Sequence, residues 1–264
     1  MNPARWRRWA LRHARLLTGL LVALWVLSVF AALTARWRAP GLTGTLLLIV
    51  LLGLWSVWVR WQRERAVREA ALPQFLKRKL RETYPHLSGK DCDLVERGLR
   101  QFFWACLRSQ RKFVAMPSKV VDAMWHEFIL HTRAYREWCD LTLGGFLHHT
   151  PAEALGAAAK GNDGLRRAWY WACRDEAINP RQPTRLPLLF ALDAKLEIAG
   201  GFRYQPDCRD IRRKSDQGGD GSGGTYCGTD FSDGSHSGDA DGLGGVDGSG
   251  DGGGDGGGCG GGGD

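Results

Sequence analysis

The chain has 264 residues and a formal net charge of +8, but the charge is unevenly spread. Residues 1–60 carry eight Arg and no acid, residues 61–214 carry 28 basic and 18 acidic residues, and residues 215–264 carry ten Asp with no Lys or Arg. This excludes a uniformly basic nucleic-acid binder, and seven scattered Cys without a C-x-x-C pair argue against a disulfide framework and for buried structural thiols, as in a reducing compartment. Two uncharged apolar stretches open the chain, at 16–35 and 41–59, each about the roughly 20 residues that a bilayer-spanning helix needs. Only Arg36, Trp37, Arg38, Ala39 and Pro40 separate them, which forces a helical hairpin. Trp6, Trp9, Trp37 and Trp61 stand where interfacial aromatics belong. Arg5, Arg7, Arg8, Arg12 and Arg15 precede the first stretch, and Arg60, Arg63, Arg65 and Arg68 follow the second. The positive-inside rule then places both termini in the cytoplasm, with the chain anchored in the inner membrane by residues 1–61 and the lipid bilayer as its first partner. The competing reading is a cleaved signal peptide. It is disfavoured because the first apolar stretch is long for such a core and 32–35 is a poor cleavage site.

The second apolar stretch is expected to continue as a helix toward Pro73. Beyond it, residues 62–214 read as one all-α domain of five or six helices. Ser88 precedes a helix whose Leu94, Leu99, Phe102, Phe103 and Cys106 fall largely on one stripe. Ser118 caps a long helix from Lys119 to Leu143, in which Val121, Trp125, Phe128, Thr132, Tyr135 and Cys139 recur at spacings of three and four. That stripe predicts this helix as the centre of the domain. Gly144-Gly145 ends it, Thr150-Pro151 begins another helix, Asp163 a further one, and 186–198 forms the last. No stretch shows strand alternation. Residues 215–264, about half Gly, bury too little apolar area to offset ordering entropy and are expected to be disordered. Calcium-binding repeats lack their apolar residue per turn here, Cys227, His236 and Cys259 fit no zinc finger, and a fold-back of the acidic tail onto the basic domain would be salt-sensitive.

Reactive side chains concentrate at Asp122, His126, Glu127, His131, Cys139, His148 and His149. His126-Glu127 followed by His131 is one residue longer than H-E-x-x-H. On a regular helix the two imidazoles would stand about 140° apart, which argues against the zinc-peptidase reading unless a bulge re-phases the turn. Asp122 and His126 are four apart and share a face, and a carboxylate that orients an imidazole is a common arrangement at metal sites. His148 and His149 follow in a loop. Two functions compete for this set. One is an interaction or scaffold module with a protein partner seated in a groove near Trp125 and His126. The other is a metal-dependent or acid–base enzyme that uses Asp122, His126, His148 and His149 with a transition metal as its cofactor. The structural alternative is a buried Asp122–His126 pair with His148 and His149 tying the loop. Trp104, Trp125, Trp138, Trp169 and Trp171 offer a stacking platform, although core packing accounts for such residues more simply. No RNA- or DNA-binding signature accompanies the basic residues, so nucleic acid is not an expected partner.

Met116 to Cys139 contains Val121, Asp122, Trp125, His126, Thr132, Tyr135 and Cys139 in a pattern V-D-x-x-W-H, an apolar pair, T-x-x-Y and C. In this pattern the chain resembles the glycine-rich domain-containing-protein-like family. The stretches 145–151, 186–193 and 201–204 are similar to its bacterial members, as is a Gly-rich, Cys-containing tail. The resemblance covers about residues 75–210. It implies domain boundaries and no particular reaction, and its pattern includes His126 without requiring Glu127 or His131.

Overall fold

The computed structural model describes residues 3–34, 42–110, 112–149, 163–206 and 225–231. Helix α1 (Pro3–Arg12) meets α2 (Ala14–Thr34) at a bend of 70° beside His13, and α3 (Leu42–Glu69) follows. Leu20, Leu24 and Leu27 on α2 and Leu47, Ile49 and Leu54 on α3 all face outward. Water around such a surface is unfavourable by roughly 25 cal/mol per Å². Within α3, the stretch Gly44–Glu69 is long and apolar enough to cross a membrane, and the bent α1–α2 pair is a second candidate. Trp55 Nε1 donates to Thr18 Oγ1 at 3.2 Å between α2 and α3. The turn at 36–40 lies outside the described residues.

Helix α3 does not stop where its apolar run ends. It continues to Glu69, and the backbone turns before Pro73 into α4 (Phe75–Thr83). The domain is then built from α5 (Gly89–Arg108), α6 (Lys119–Leu130), α7 (Thr132–Thr142), α8 (Asp163–Asp175) and α9 (Leu188–Lys195). Helix α5 starts with a reciprocal cap: Ser88 Oγ accepts from Asp91 N, and the Asp91 carboxylate accepts from Ser88 N. It is the element that packs against α3, α4, α6, α8 and α9, burying Val95, Leu99, Phe102 and Phe103. The centre of the domain is therefore α5 and not the Trp125–His126 helix. Gly98 makes this possible, because a Cβ there would stand 2.4 Å from Leu192 Cδ1 of α9 and 3.1 Å from Val121 Cγ2 of α6.

The long helix expected from Lys119 to Leu143 is two helices. The chain breaks at His131 (φ −88°, ψ 61°), whose Nδ1 faces Glu127 O at 3.0 Å and whose ring rests on Phe75. Thr132, expected on the apolar stripe, is exposed. The physical reason is aromatic packing. On a straight helix Trp125 and Trp138 would point about 140° apart, yet both pack on Phe103, with ring centroids at 6.2 and 4.5 Å. The break brings them to one side.

Asp193 of α9 fixes the start of α6. Its carboxylate, 3% exposed, accepts from Ser118 Oγ at 2.7 Å, Lys119 N at 2.8 Å, Val120 N at 3.1 Å and Phe202 N at 2.9 Å. A buried negative charge at a helix N-terminus is stabilised by the free amides and the helix dipole.

Two short strands complete the described chain, against the expectation of none. β1 (Arg203–Gln205) pairs in parallel with β2 (Thr225–Cys227), with Tyr204 opposite Tyr226. A 3-10 turn, Gly228–Phe231, follows and seats Phe231 (2% exposed) beside Trp169, Phe190 and Tyr204. Expected disorder from 215 onward therefore does not hold for 225–231. This segment carries Tyr226, Cys227 and Phe231 within the Gly/Asp-rich sequence, and those side chains supply what its neighbours lack. Gly228 is required there, since a Cβ would meet Trp169 Cη2 at 2.3 Å. The remaining tail, the helix start at Thr150-Pro151, and Cys208, His236 and Cys259 lie outside the described residues. Cys92, Cys106, Cys139 and Cys173 are free and buried, whereas Cys227 is disulfide-bonded. The expectation of thiols throughout is corrected at Cys227, because spacing in sequence does not reveal what a strand pairing brings close.

Candidate metal centre

Asp122 and His126 stand one turn apart on the outer side of α6, and His149 comes from the loop after α7. One donor atom from each of the three residues lies within 4.8 Å of the others. His149 Nε2 is 3.3 Å from Asp122 Oδ1, and His126 Nδ1 is 3.3 Å from Asp122 Oδ2 and 3.0 Å from Asp122 O. The two imidazole rings are 4.3 Å apart. Both Asp122 oxygens near Nδ1 are acceptors, so the contact is a hydrogen bond in the tautomer with the hydrogen on Nδ1, and that tautomer leaves the Nε2 lone pair free. His126 is half exposed and His149 largely covered, with side-chain exposures of 51% and 20%. The Asp122–His126 pair is therefore partly solvated and not buried in the core.

The loop that delivers His149 is tied down from beneath. Trp125 Nε1 donates to Tyr135 Oη at 3.1 Å, and Tyr135 Oη donates to Leu147 O at 2.7 Å, two residues before His149. The Trp125 ring, itself packed on Phe102 and Phe103, lies 4.8 Å from the His149 ring. Trp125 and Tyr135 thus position the histidine without joining its chemistry. Burial raises the Tyr135 hydroxyl pKa well above its usual range. Burial also pushes the nearby Cys139 thiol up to about 11, so it stays protonated at neutral pH and is no thiolate ligand.

His148, next to His149, faces away. It is exposed, and its ring contacts Phe146 at 4.8 Å. His131 lies against Phe75, remote in role from His126, so the His126-Glu127…His131 sequence builds no zinc-peptidase geometry. Among the described residues this is the group of His, Cys, Asp and Glu side chains arranged to hold a metal ion. The donor set fits one. Two imidazoles and a carboxylate suit zinc or ferrous iron. Ligand atoms on one ion lie within about 4 Å of one another, and one donor atom from each of the three residues lies within 4.8 Å of the others.

What the fold and cluster define is an all-α domain with a two-histidine, one-carboxylate group at its surface. The chain belongs to the UCP032817-like family, whose model matches residues 62–231. The match begins in the last turns of α3 and ends at Phe231, so it includes β2 and the 3-10 turn as part of the domain. No curated protein and no solved structure matches the chain.

Proposed function

We propose that this chain is a membrane-anchored helical module whose working part is a divalent transition-metal site formed by Asp122, His126 and His149. The convergence of the three donors carries this reading. Three protein ligands with an exposed imidazole leave coordination positions for water or a small ligand, which is how catalytic metal sites differ from closed structural ones. A bound ion of this kind polarises an oxygen-bearing substrate or lowers the pKa of a bound water.

The anchor reading is a hairpin in the inner membrane with both termini in the cytoplasm and the rest of the Gly-rich tail flexible. Charge supports it through the Arg-rich flanks. Packing supports it as well. Leu11 of α1 clusters with Val59 of α3 and Leu141 of α7, and Arg63 Nη2 donates to Leu11 O at 3.5 Å. The N-terminal helix and the domain therefore meet at the same end of α3, the arrangement that a hairpin would give.

Zinc titration of the metal-stripped full chain in detergent tests the site. The wild type is expected to take up one equivalent. His126→Ala and His149→Ala should each weaken binding by about tenfold or more, while His148→Ala leaves it unchanged. Equal effects at His148 and His149, or no stoichiometric uptake, would return the domain to the interaction-module reading.

A further inference from the structure

A second feature, apart from the metal centre, lies where α3, α5 and α8 meet. Arg68, Trp104, Arg108, Trp171, Arg174 and Asp175 line a cleft of about 730 Å³. Guanidinium groups and indoles alternate along it. Arg68 Cζ is 5.3 Å from the Trp104 ring, and Arg108 Cζ is 5.2 Å from Trp104 and 5.4 Å from Trp171. The two indoles meet edge to face at 5.8 Å. Stacking of this kind holds a guanidinium plane in place without using its N–H donors.

The charges are incompletely matched. Arg68 pairs with Asp175 at 2.5 Å, and Arg108 pairs with Glu64 at 3.2 Å. Arg174 is exposed and has no carboxylate partner among the described residues. The hydrogen-bonding is also incomplete. Among the described residues Trp104, only 6% exposed, has no acceptor for its Nε1, and Trp171 Nε1 and Arg108 Nε are buried and likewise without a partner there. An unpaired buried donor costs about 1–3 kcal/mol, and the cleft beside these three is lined by Arg68, Arg108 and Arg174, which calls for an anionic guest. A carboxylate offers two oxygens, whereas a phosphate ester offers at least three together with the negative charge that Arg174 lacks.

We propose that this cleft binds a phosphate ester, held by Arg108 and Arg174 against the Trp104 and Trp171 rings. Two sources share this chemistry. Arg68 stands about 13 Å beyond Val59 along α3, at 1.5 Å per residue, which is at or just past the headgroup layer of the proposed membrane. A phospholipid headgroup and a soluble phosphate compound both reach that height.

The full chain reconstituted in phosphatidylcholine nanodiscs separates the two sources. Inorganic phosphate is titrated first, with binding read from ³¹P line broadening. The discs are then doped with phosphatidic acid, and retained lipid is counted by native mass spectrometry. Phosphate binding in undoped discs supports a soluble ligand, and retention of about one phosphatidic acid supports a headgroup. In either arm Arg174→Gln, a change at an exposed residue with no carboxylate partner among the described residues, should weaken binding by about tenfold, while His126→Ala leaves it intact. Absence of any binding sensitive to Arg174→Gln in both arms would overturn the proposal.

Discussion

Tyr135 holds two hydrogen bonds at once, accepting from Trp125 and donating to the Leu147 carbonyl. Its hydroxyl is therefore the pin between α6 and the loop that carries His149. Tyr135→Phe keeps the ring and its contacts with Phe128 and Phe146 but orphans both partners. The expected loss is about 1–3 kcal/mol in chemical denaturation. If the pin sets the histidine, zinc affinity should also fall by about tenfold or more. A stability loss with unchanged zinc affinity would show that Trp125 packing alone places His149. At this scale the sequence was partly readable. The i, i+4 spacing put Asp122 and His126 on one face, but nothing in a His-His pair tells which imidazole turns inward. Tyr135 decides that through a carbonyl, and carbonyls leave no mark on sequence.

Among the elements, α6 depends on a residue of α9. Asp193 accepts two backbone amides at the start of α6, as well as the Ser118 hydroxyl and Phe202 N. Asp193→Ala would leave those donors buried and unpaired, and is expected to cost roughly 3–5 kcal/mol, as for loss of one partner from a buried charged network. Thermal unfolding of the purified chain measures it, and a loss under about 1 kcal/mol would show that water replaces the carboxylate. Gly201 belongs to the same joint, because a Cβ there would stand 2.8 Å from Asp193 Cβ. The helices and their caps at Ser88 and Ser118 were legible, since caps and apolar stripes are local. The break at His131 was not. It answers to Phe103, which lies on α5 and collects both Trp125 and Trp138. Asp193 carried a signal that could have been used: one acid inside LPLLFALDAKL is costly unless it is paired. β2 escaped notice because three residues paired to a distant partner have no period of their own, and its composition is swamped by the surrounding Gly and Asp.

For the whole molecule, the disulfide at Cys227 makes sidedness measurable without a reporter. Cytoplasmic thiols are kept reduced, whereas a periplasmic domain would keep its disulfide. If both ends of the chain face the cytoplasm, a thiol reagent applied to freshly lysed cells under denaturing, non-reducing conditions should label Cys227. Full protection of Cys227 in the same assay would place the domain on the other side and reverse the hairpin. Cys92, Cys106, Cys139 and Cys173 serve as internal standards, because they are free in either case.

Helix α3 runs without interruption from Leu42 to Glu69, from the apolar run into contact with α5 and α7. No hinge separates the two parts, so the domain has neither the reach nor the tumbling freedom of a tethered one. The azimuth of the proposed span sets the azimuth of the domain. Each residue added to α3 between the two would lift the domain by about 1.5 Å and swing it by about 100°. The proposed metal site therefore has a compass bearing as well as a height, and two copies that associated through their spans would present these sites to each other at one fixed angle.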